Sequence, residues 1–541
     1  MNENWATLWE HVADAVGDRP ALSQGGRRVS WRDFDDRAAR VAGWLAASEI
    51  GKDAKVAILA HNRPEYLEAV FATFKVRAAA VNVNFRYLDD EVVELLDDSD
   101  TEALVFAGSF APLVDRIRAR LPRLRALAQL DDDHPLLEGA VAYEHIATAH
   151  EPAPRQTRSG EDVFLLYTGG TTGRPRGVMW RHRDIISTLA WSAYVLAGLS
   201  PPDDAAGVGR RAVEVGEAGK IPVFLPAPPL IHGVALYLSQ AALLLGGLVV
   251  FLEGRSLDAH ELWRTVAGER VTQLAIVGDA FARPMVDALE AAETAGKPYD
   301  ISSLERVVSS GVAWTVPVKQ ALLDRSSATL VDMIGATEGG PFAVSIVPPG
   351  GQAADYPLRL ADRAMVVRLD GSSIEPGSGE AGLLAVRPPA PLGYYKASEQ
   401  SRALLRRIGD EELVVPGDWA TVDGDGVVTF LGRGSLCINT GGEKVYPEEV
   451  ELVLVEHPAV ADCNVVGLPD ERYGEAVVAV VALEPGATAE AEELRAHVRG
   501  RLAGYKVPRD VVFVPTIERT PVGKARYAWA RSVASGDTGR V

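Results

Sequence analysis

Cysteine is scarce in this 541-residue chain, where only Cys437 and Cys463 occur. Two cysteines exclude a disulfide framework and leave no spacing typical of a metal site. So few thiols are typical of a protein from a reducing compartment. Residues 1–20 also lack a basic region followed by an apolar run, so the sequence predicts no signal peptide. We therefore expect a cytoplasmic protein.

An excess of positive charge is missing as well. Lys and Arg total 55 against 74 Asp and Glu, a formal net charge of −19, which argues against a nucleic-acid-binding protein. One apolar run, Val234–Leu252, approaches the length of a membrane span. Ser239, Gln240 and the Gly246-Gly247 pair interrupt this run. We predict a buried helix, a turn and a buried strand there, and no membrane span.

The order of the predicted elements indicates an α/β fold. Strand-type apolar runs alternate with helical patterns between residues 28 and 106, which is typical of a mostly parallel sheet with helices on both faces. Residues 364–431 show short strands and tight turns, as expected of a small β-rich module. The chain from residue 436 onward reads as a compact α+β domain. Residues 198–220, rich in glycine, proline, alanine and charge, are predicted to form an exposed insertion.

The glycine-rich stretch at 167–178, YTGGTTGRPRGV, carries the strongest local signal for ligand binding. Glycine allows the backbone to approach a ligand closely, and successive backbone N–H groups form an anion-binding concavity. Threonine hydroxyls and two arginines, Arg174 and Arg176, add donors and positive charge. The stretch is not a Walker A loop, because no lysine followed by Ser or Thr stands in register. We predict a strand, a phosphate-binding turn and a helix beginning near Trp180.

Further glycine-rich turns follow three predicted strands, at Gly278-Asp279, Ser310-Gly311 and Ile334–Gly340. Ligands in open α/β sheets bind beyond the carboxyl ends of the strands, so we expect these turns at one common edge. Glu338 lies in the last of them, and from the residues alone it is either a surface acid or a binding carboxylate. His232, between two apolar runs, is likewise open between a core role and a catalytic one.

Five motifs occur in a fixed order: the loop at 167, IGATEGG at 334, PGDW at 416, GRGSLCINTGGEKVYPEEVE from 432 and TPVGKAR at 520. In this order they resemble the adenylate-forming superfamily of acyl-CoA synthetases, adenylation domains and luciferases. The resemblance covers essentially the whole chain. SSGVAW, PPLIHG and NTGGEKVYPEEVE are most similar to actinobacterial fatty-acyl-CoA synthetases, some of which act on steroid side chains.

The resemblance implies an ATP-dependent, AMP-forming acid–thiol ligase of fatty acid metabolism. A carboxylic acid and Mg-ATP would give an acyl-adenylate and pyrophosphate, and the thiol of coenzyme A would then displace AMP. The resemblance also implies three parts of the chain. These are an N-terminal ATP- and acyl-binding domain at 1–432, a hinge at 433–435 and a mobile C-terminal domain at 436–541.

Site residues follow from the same resemblance, position by position. The phosphate loop is implied at Thr168, Gly169, Gly170, Thr171, Thr172 and Gly173, with Arg176 nearby. Glu338 matches a Mg²⁺ ligand, since one carboxylate with phosphate oxygens suits that ion, and Thr337 would lie beside the α-phosphate. The ribose contacts are implied at Asp418 and Arg433, and the mobile catalytic lysine at Lys524, a point charge for the reacting oxygens.

The remaining implied residues surround the adenine, the acyl group and the thiol. Gly311, Val312 and Ala313 would line the adenine, with Asp332 at its amino group. The acyl pocket is implied at His232, Val277, Gly278, Gly311, Ile334 and Gly335, with His232 now expected to be functional. The pantetheine path is implied at Gly441, Gly442 and Glu443.

Several positions depart from the family pattern. Gly169 replaces a Ser or Thr, Arg176 a lysine, Ile334 an aromatic residue, and Ser435 an Asp or Lys at the hinge. The acceptor also stays open at this point: a carrier-protein thiol or an amine instead of CoA, or an unusual acid such as nitrite. A catalytically silent binding protein is a further alternative. The acyl substrate and a homodimer are not decided by the sequence.

Overall fold

A computed structural model describes residues 3–169, 175–311, 314–433, 438–518 and 526–536. Its first part contains α1 (Trp5–Val16), β1 (Pro20–Gln24), β2 (Arg27–Ser30), α2 (Trp31–Ala47), β3 (Lys55–Leu59), α3 (Pro64–Lys75), β4 (Ala79–Asn82), α4 (Asp89–Asp98), β5 (Thr101–Ala107), α5 (Ala111–Ile117), β6 (Ala126–Leu130), β7 (Val141–Ala142) and α6 (Tyr143–Ala149). Short 3₁₀ turns at Gly108–Phe110 and Arg118–Arg120 flank α5.

The central part carries β8 (Val163–Gly169), β9 (Pro175–Arg181), α7 (His182–Leu196), α8 (Ala205–Glu217), β10 (Val223–Pro226), α9 (Gly233–Leu244), β11 (Leu248–Phe251), α10 (Ala259–Glu269), β12 (Gln273–Ile276), α11 (Gly278–Thr294), β13 (Arg306–Ser310), α12 (Val316–Leu323), β14 (Thr329–Ala336), β15 (Gly339–Val347) and β16 (Arg359–Leu360), with a 3₁₀ turn at Ala353–Asp355. The β-rich region follows with β17 (Ala364–Val367), β18 (Gly382–Val386), β19 (Gly393–Tyr394), α13 (Ser398–Leu404), β20 (Leu405–Ile408), β21 (Glu411–Val414), β22 (Asp418–Val422) and β23 (Val428–Arg433).

The described residues 438–518 and 526–536 form what we call the C-terminal module. It contains β24 (Ile438–Thr440), β25 (Glu443–Val445), α14 (Pro447–Val455), β26 (Val460–Asp470), β27 (Gly474–Leu483), α15 (Ala491–Arg499), a 3₁₀ turn at Gly504–Lys506, β28 (Asp510–Phe513) and α16 (Tyr527–Ala534). Its strands pair in the order β25-β24-β27-β26, with β28 parallel to β27. The module has a hydrophobic cluster of its own.

Two largely parallel sheets build the body of the protein, as the alternation of elements predicts. In the described residues, a nine-stranded sheet runs β16-β15-β14-β13-β12-β10-β11-β1-β2, and a five-stranded sheet runs β4-β3-β5-β6-β7. The strands β11, β10, β12, β13 and β14 pair parallel with one another in that order, and β15 pairs antiparallel with β14. The β-rich region adds a separate antiparallel sheet around β18 and β22. The predicted α/β class with a small β-rich module and an α+β C-terminal region is confirmed.

The apolar run Val234–Leu252 folds as predicted. It forms α9, a turn in which Gly246 has φ +68°, and the buried strand β11. The positive φ explains glycine at the turn, because other residues adopt that conformation at a cost. Among the described residues, no helix is long and apolar enough to cross a membrane.

The glycine-rich stretch differs from its predicted strand–turn–helix form. The strands β8 and β9 pair antiparallel from Val163↔Arg181 to Gly169↔Pro175, so the turn joins a hairpin and α7 begins only at His182. The helix predicted from Trp180 was therefore wrong at its start. Val178 and Trp180 are buried, and Met179 and Arg181 beside them are half-buried. This is a strand period, which is hard to distinguish from a helical period over so few residues.

The predicted exposed insertion at 198–220 was also wrong. Residues 205–217 form α8, which Asp204 caps by accepting from the Gly207 N–H. Val208, Ala212 and other small side chains of α8 are buried against α1. Glycines in this segment permit close helix packing instead of chain mobility.

Candidate active site

Three parallel strands end side by side, as the sequence predicts. β12, β13 and β14 are neighbours in the large sheet, with Ser309 opposite Asp332. The Gly278 N–H donates to Ser309 Oγ at 2.9 Å, which ties the end of β12 to the end of β13. Gly311 follows with φ +102°, a conformation that favours glycine. The common edge of glycine-rich turns is thus present, while Val312 and Ala313 lie outside the described residues.

The hairpin β8–β9 carries the stem of the predicted phosphate loop. Thr168 pairs with Arg176 and Gly169 with Pro175. The other predicted loop residues, Gly170, Thr171, Thr172 and Gly173, lie outside the described residues.

A buried asparagine, Asn82, fixes this stem. Its Nδ2 donates to the carbonyls of Tyr167 and Ile231, both at 2.8 Å, and its Oδ1 accepts from the Tyr167 N–H at 2.6 Å. The segment that ends in His232 is thereby held against the hairpin.

Glu338 lies in the hairpin turn between β14 and β15 and is buried, with 2% of its surface exposed. The Tyr394 hydroxyl donates to Glu338 Oε1 at 2.7 Å. Tyr394 itself is in β19, which pairs with β9, and the Arg176 guanidinium lies 5.6 Å from the centre of its ring. A charge-assisted hydrogen bond from β19 therefore holds the carboxylate beside the β8–β9 hairpin.

The preceding carbonyl, that of Thr337, accepts two side-chain donors. Trp180 Nε1 donates at 3.0 Å and the Tyr237 hydroxyl at 3.4 Å. Burial raises the pKa of Tyr237, and the nearby charge of Glu338 raises it further, so the hydroxyl keeps its proton. These contacts fix the turn that presents Thr337 and Glu338.

The donor set at Glu338 fits a Mg²⁺ ion bound together with a nucleotide. Mg²⁺ prefers carboxylate oxygens and usually retains phosphate or water oxygens in its shell. Glu338 supplies a buried carboxylate beside the stem of the predicted phosphate loop. The residues present are thus suited to the ion that the family resemblance implies.

Asp418 and Arg433 stand opposite each other on β22 and β23. Asp418 is the first residue of β22 and is 7% exposed. The β-rich sheet that carries it packs against the Glu338 turn, because a Cβ on Gly339 would lie 3.2 Å from Val386 of β18. The two predicted ribose contacts are thus backbone neighbours in the β-rich sheet.

Asp332 is paired with a lysine that the sequence analysis did not identify. Lys319 Nζ lies 2.7 Å from Asp332 Oδ2, and both side chains are buried. Burial raises the pKa of Asp332, although the charge of Lys319 opposes that shift. Ile334 and Gly335 continue β14 beyond this pair. The proposed contact of Asp332 with an adenine amino group stays a prediction.

The 441–443 loop of the C-terminal module lies against the N-terminal part of the protein. Glu443 Oε1 is 3.3 Å from His232 Nε2 and also accepts from Arg86. Gly442 has φ +86°, and a Cβ there would lie 2.9 Å from Val277, so only glycine fits this contact. His232, Val277 and the 441–443 loop are therefore brought together, whereas Lys524 lies outside the described residues.

Sequence reasoning missed Asn82, Tyr394 and Arg86. Tyr394 and Arg86 contact the predicted site residues Glu338 and Glu443, and Asn82 contacts the neighbours of two others. None of the three lies in a motif that marks it. Tyr394 stands in a short strand after a cis Pro388-Pro389 peptide, within PLGYY. Only its pairing with β9 would have indicated that it faces Glu338.

Comparison with known proteins agrees with this geometry. Residues 9–395 match the model of the AMP-binding enzyme family. The chain belongs to the AMP-binding enzyme family. Residues 449–524 match the C-terminal domain model of the same enzymes. The resemblance inferred from the five motifs is thus confirmed, and with it an AMP-forming ligase.

Curated relatives of this AMP-binding enzyme align over almost its entire length. A 3-oxocholest-4-en-26-oate–CoA ligase of Rhodococcus rhodochrous is 39% identical over 98% of this chain and 96% of its own. A medium/long-chain-fatty-acid–CoA/3-oxocholest-4-en-26-oate–CoA ligase of Mycolicibacterium smegmatis is 39% identical over 98% and 97%. A medium-chain acyl-CoA ligase of Mycobacterium avium is 40% identical over 97% and 96%.

Solved structures show that the fold is shared more widely. An amide bond synthetase from Marinactinospora thermotolerans matches with a TM-score of 0.78 at 24% identity, covering 98% of this chain and 99% of that one. An o-succinylbenzoate CoA synthetase from Bacillus subtilis matches with a TM-score of 0.79 at 22% identity, covering 99% of both. At these identities the likeness establishes the fold alone.

Proposed function

We propose that this enzyme is an acyl-CoA synthetase that activates an aliphatic carboxylic acid, either a medium- to long-chain fatty acid or a steroid side-chain acid. In the first step a carboxylate oxygen attacks the α-phosphorus of ATP, and the bond to pyrophosphate breaks. In the second step the sulfur of CoA attacks the acyl carbon, and the bond to AMP breaks. The named activities of the relatives support this choice of acids.

The observation that carries the proposal is the contact of the 441–443 loop with His232 and Val277. This contact brings the loop expected to line the thiol path to the end of β12, which Val277 directly follows. A CoA thiol entering along Gly441 and Gly442 would therefore arrive at the acyl carbon.

The residues of the chain supply positioning and charge, which dominate catalysis of phosphoryl transfer. The β8–β9 hairpin would hold the β- and γ-phosphates, and Asp418 with Arg433 would hold the ribose. Glu338 would hold Mg²⁺, which supplies neutralisation of phosphate charge when bound. We propose that Lys524 supplies a point charge at the α-phosphate and the acyl carboxylate. The cytoplasmic location and the homodimer stay predictions.

The Lys524 assignment is tested by separating the two steps. We expect Lys524→Ala to abolish ATP–pyrophosphate exchange and to spare thioester formation from a preformed acyl-adenylate. Arg526→Ala is the matched control, because it removes a nearby cation whose partner is Glu518 on the surface. Exchange near the wild-type rate in Lys524→Ala would show that the lysine assignment is wrong.

The acid and the acceptor are tested by product analysis. We expect CoA thioesters from medium- and long-chain fatty acids and steroid side-chain acids, and adenylate alone when CoA is omitted. Nitrite, amines and carrier proteins are included because the sequence left them open. Turnover of one of these instead of CoA would replace the proposed function.

A further inference from the structure

The short turn Gly504–Lys506 of the C-terminal module lies against the segment 83–91, which leads into α4. Ala503, just before the turn, is fully buried in a hydrophobic cluster with N-terminal residues such as Val83 and Tyr87. The Asn84 Nδ2 donates to the Tyr505 hydroxyl at 3.3 Å. This surface is a second contact between the two parts of the protein, separate from the His232–Glu443 contact.

Lys506 occupies the centre of this surface and is only 4% exposed. Its Nζ lies 2.8 Å from Glu91 Oε1 in α4 and 2.7 Å from Glu449 Oε2 in α14. The ammonium is also 4.9 Å from the ring centre of Tyr87, within the range of a cation–π contact. One buried cation therefore binds a carboxylate from each side of the interface.

The two carboxylates have different consequences for movement of the module. A buried charge is costly unless it is paired. Burial would lower the pKa of Lys506, but Glu449, Tyr87 and Glu91 raise it above the ordinary lysine value, so the cation is retained. Glu449 and Lys506 belong to the same module, so separation from the N-terminal part breaks the contacts of Lys506 with Glu91 and Tyr87 but keeps its pair with Glu449. The arrangement permits undocking without leaving the lysine unpaired.

The same segment also holds the 441–443 loop. Arg86, five positions before Glu91, donates to Glu443. Glu443 begins β25, which leads directly to Tyr446 and the helix that carries Glu449. The pair Lys506–Glu91 and the pair Arg86–Glu443 therefore attach the same segment to both ends of the stretch that carries the 441–443 loop.

We propose that Glu91 is a positioning residue for the thiol-transfer step, which it serves by holding Lys506 and thus the 441–443 loop at His232. This inference rests on the two-step function proposed above. Glu91 acts through the module and not on the reacting atoms, so its removal slows the second step and spares the first.

The central test is Glu91→Gln in the full chain. Glutamine keeps one oxygen that can accept from the Leu88 N–H, as Glu91 Oε2 does at 3.0 Å, and it replaces the charged acceptor that faces Lys506 by a neutral amide group. We expect thioester formation from preformed acyl-adenylate to fall about tenfold in single turnover, whereas ATP–pyrophosphate exchange stays within twofold of wild type. Equal slowing of both steps, or no slowing of either, would overturn the proposal.

Asp89→Asn is the matched control on the same turn of α4. Asp89 accepts from Arg116 at 2.7 and 2.8 Å, and Arg116 belongs to the N-terminal part. The variant removes one carboxylate charge a single helical turn or less from Glu91. We expect both steps to stay within twofold of wild type, and a selective loss of the second step here would overturn the specific role of Glu91.

Coupling between Glu91 and Lys506 is tested with Lys506→Met and the double variant. Residues that act through one contact give non-additive effects. We expect Glu91→Gln to slow the second step no more than twofold further when Lys506→Met is already present, and multiplicative losses would overturn the pairing. A wild-type chain that forms no CoA thioester from any acid would instead refute the proposed function.

Discussion

At the scale of single residues, the candidate site depends on side chains that hold the predicted site residues in place but are not predicted site residues themselves. Glu338 is buried, and a buried carboxylate keeps a fixed position only if its oxygens have partners. Tyr394 supplies one partner at 2.7 Å, and Trp180 and Tyr237 fix the neighbouring Thr337 carbonyl. These contacts hold the glycine-rich segment that carries Thr337 and Glu338 in one position.

Tyr394→Phe tests this support because it removes only the hydroxyl group of Tyr394. A hydrogen bond to a charged group contributes about 1.5–3 kcal/mol, so we expect ATP–pyrophosphate exchange to fall roughly tenfold or more. We expect the exchange activity to fall and the concentration of Mg²⁺ needed for half-maximal exchange to rise. Titration with Mg²⁺ at saturating ATP measures both.

The neighbouring tyrosine provides the control for that variant. The Tyr395 hydroxyl donates to Asp100 at 2.8 Å, so Tyr395→Phe removes the same kind of hydrogen bond one position later. We expect its exchange activity to equal that of the wild type. Equal activity of Tyr394→Phe and wild type would show that Glu338 does not need this hydroxyl.

At the scale of elements, α8 shows how glycine content misleads sequence reasoning. The segment 198–220 carries the composition of a loop, yet Gly209 lies where α8 crosses α1. A Cβ on Gly209 would lie 2.6 Å from the His11 carbonyl oxygen. The glycine is therefore required by the close approach of two helix backbones.

Gly209→Ala is expected to destabilise the protein by about 1–3 kcal/mol, because the added methyl group forces the helices apart. Intrinsic helix propensity alone predicts the opposite sign, a gain of up to about 1 kcal/mol. The midpoint of thermal unfolding decides between the two.

Gly268→Ala is the matched control for this variant. Gly268 lies in α10, and an added Cβ there meets nothing within 4 Å. We expect a small increase in the unfolding midpoint for Gly268→Ala and a decrease for Gly209→Ala. An increase in both would mean that α8 and α1 are not closely packed.

At the scale of the whole molecule, buried ion pairs join segments that are far apart in sequence. Glu10 of α1 accepts from Arg158 at 2.8 and 3.0 Å and from Lys75 of α3 at 2.8 Å. Burial raises the pKa of Glu10, but Arg158 and Lys75 outweigh burial and hold the pKa below its ordinary value of 4.5. The folded state is therefore stabilised by the charged form of the Glu10 carboxyl.

The sign of the resulting pH dependence follows from linkage. A carboxyl with a depressed pKa in the folded state adds stability above its unfolded pKa, and that stability is lost as the pH falls through the folded pKa. Glu10→Gln removes one partner of a buried pair, which costs about 3 kcal/mol at pH 7. We expect this cost to stay constant down to about pH 5 and to shrink in more acidic solution.

Urea denaturation followed by tryptophan fluorescence at several pH values measures the difference between Glu10→Gln and wild type. Asp18→Asn is the control, because Asp18 pairs with Arg32 on the surface, where both side chains are largely exposed. Exposed pairs contribute little, so this variant should follow the wild type at every pH. A difference for Glu10→Gln that grows as the pH falls would contradict the assigned pKa direction.

The sequence by itself determined most of the elements and the order in which the motifs occur. Strand-type apolar runs that alternate with helical patterns indicate parallel strands and helices. Turn residues such as Gly278 and Gly311 come just after these strands in the sequence. The turn that carries Glu338 was predictable for the same reason. These features depend on residues that are neighbours in the chain, so local patterns are enough to identify them.

The tertiary structure alone decided which side chains meet. Tyr394 reaches Glu338 across 56 residues, and Lys506 reaches Glu91 across 415. It also decided that the residues after the predicted phosphate loop form a strand, because β9 pairs with both β8 and β19. Such contacts depend on how sheets and modules pack against one another, and hydrophobic periodicity specifies only which face of an element is buried.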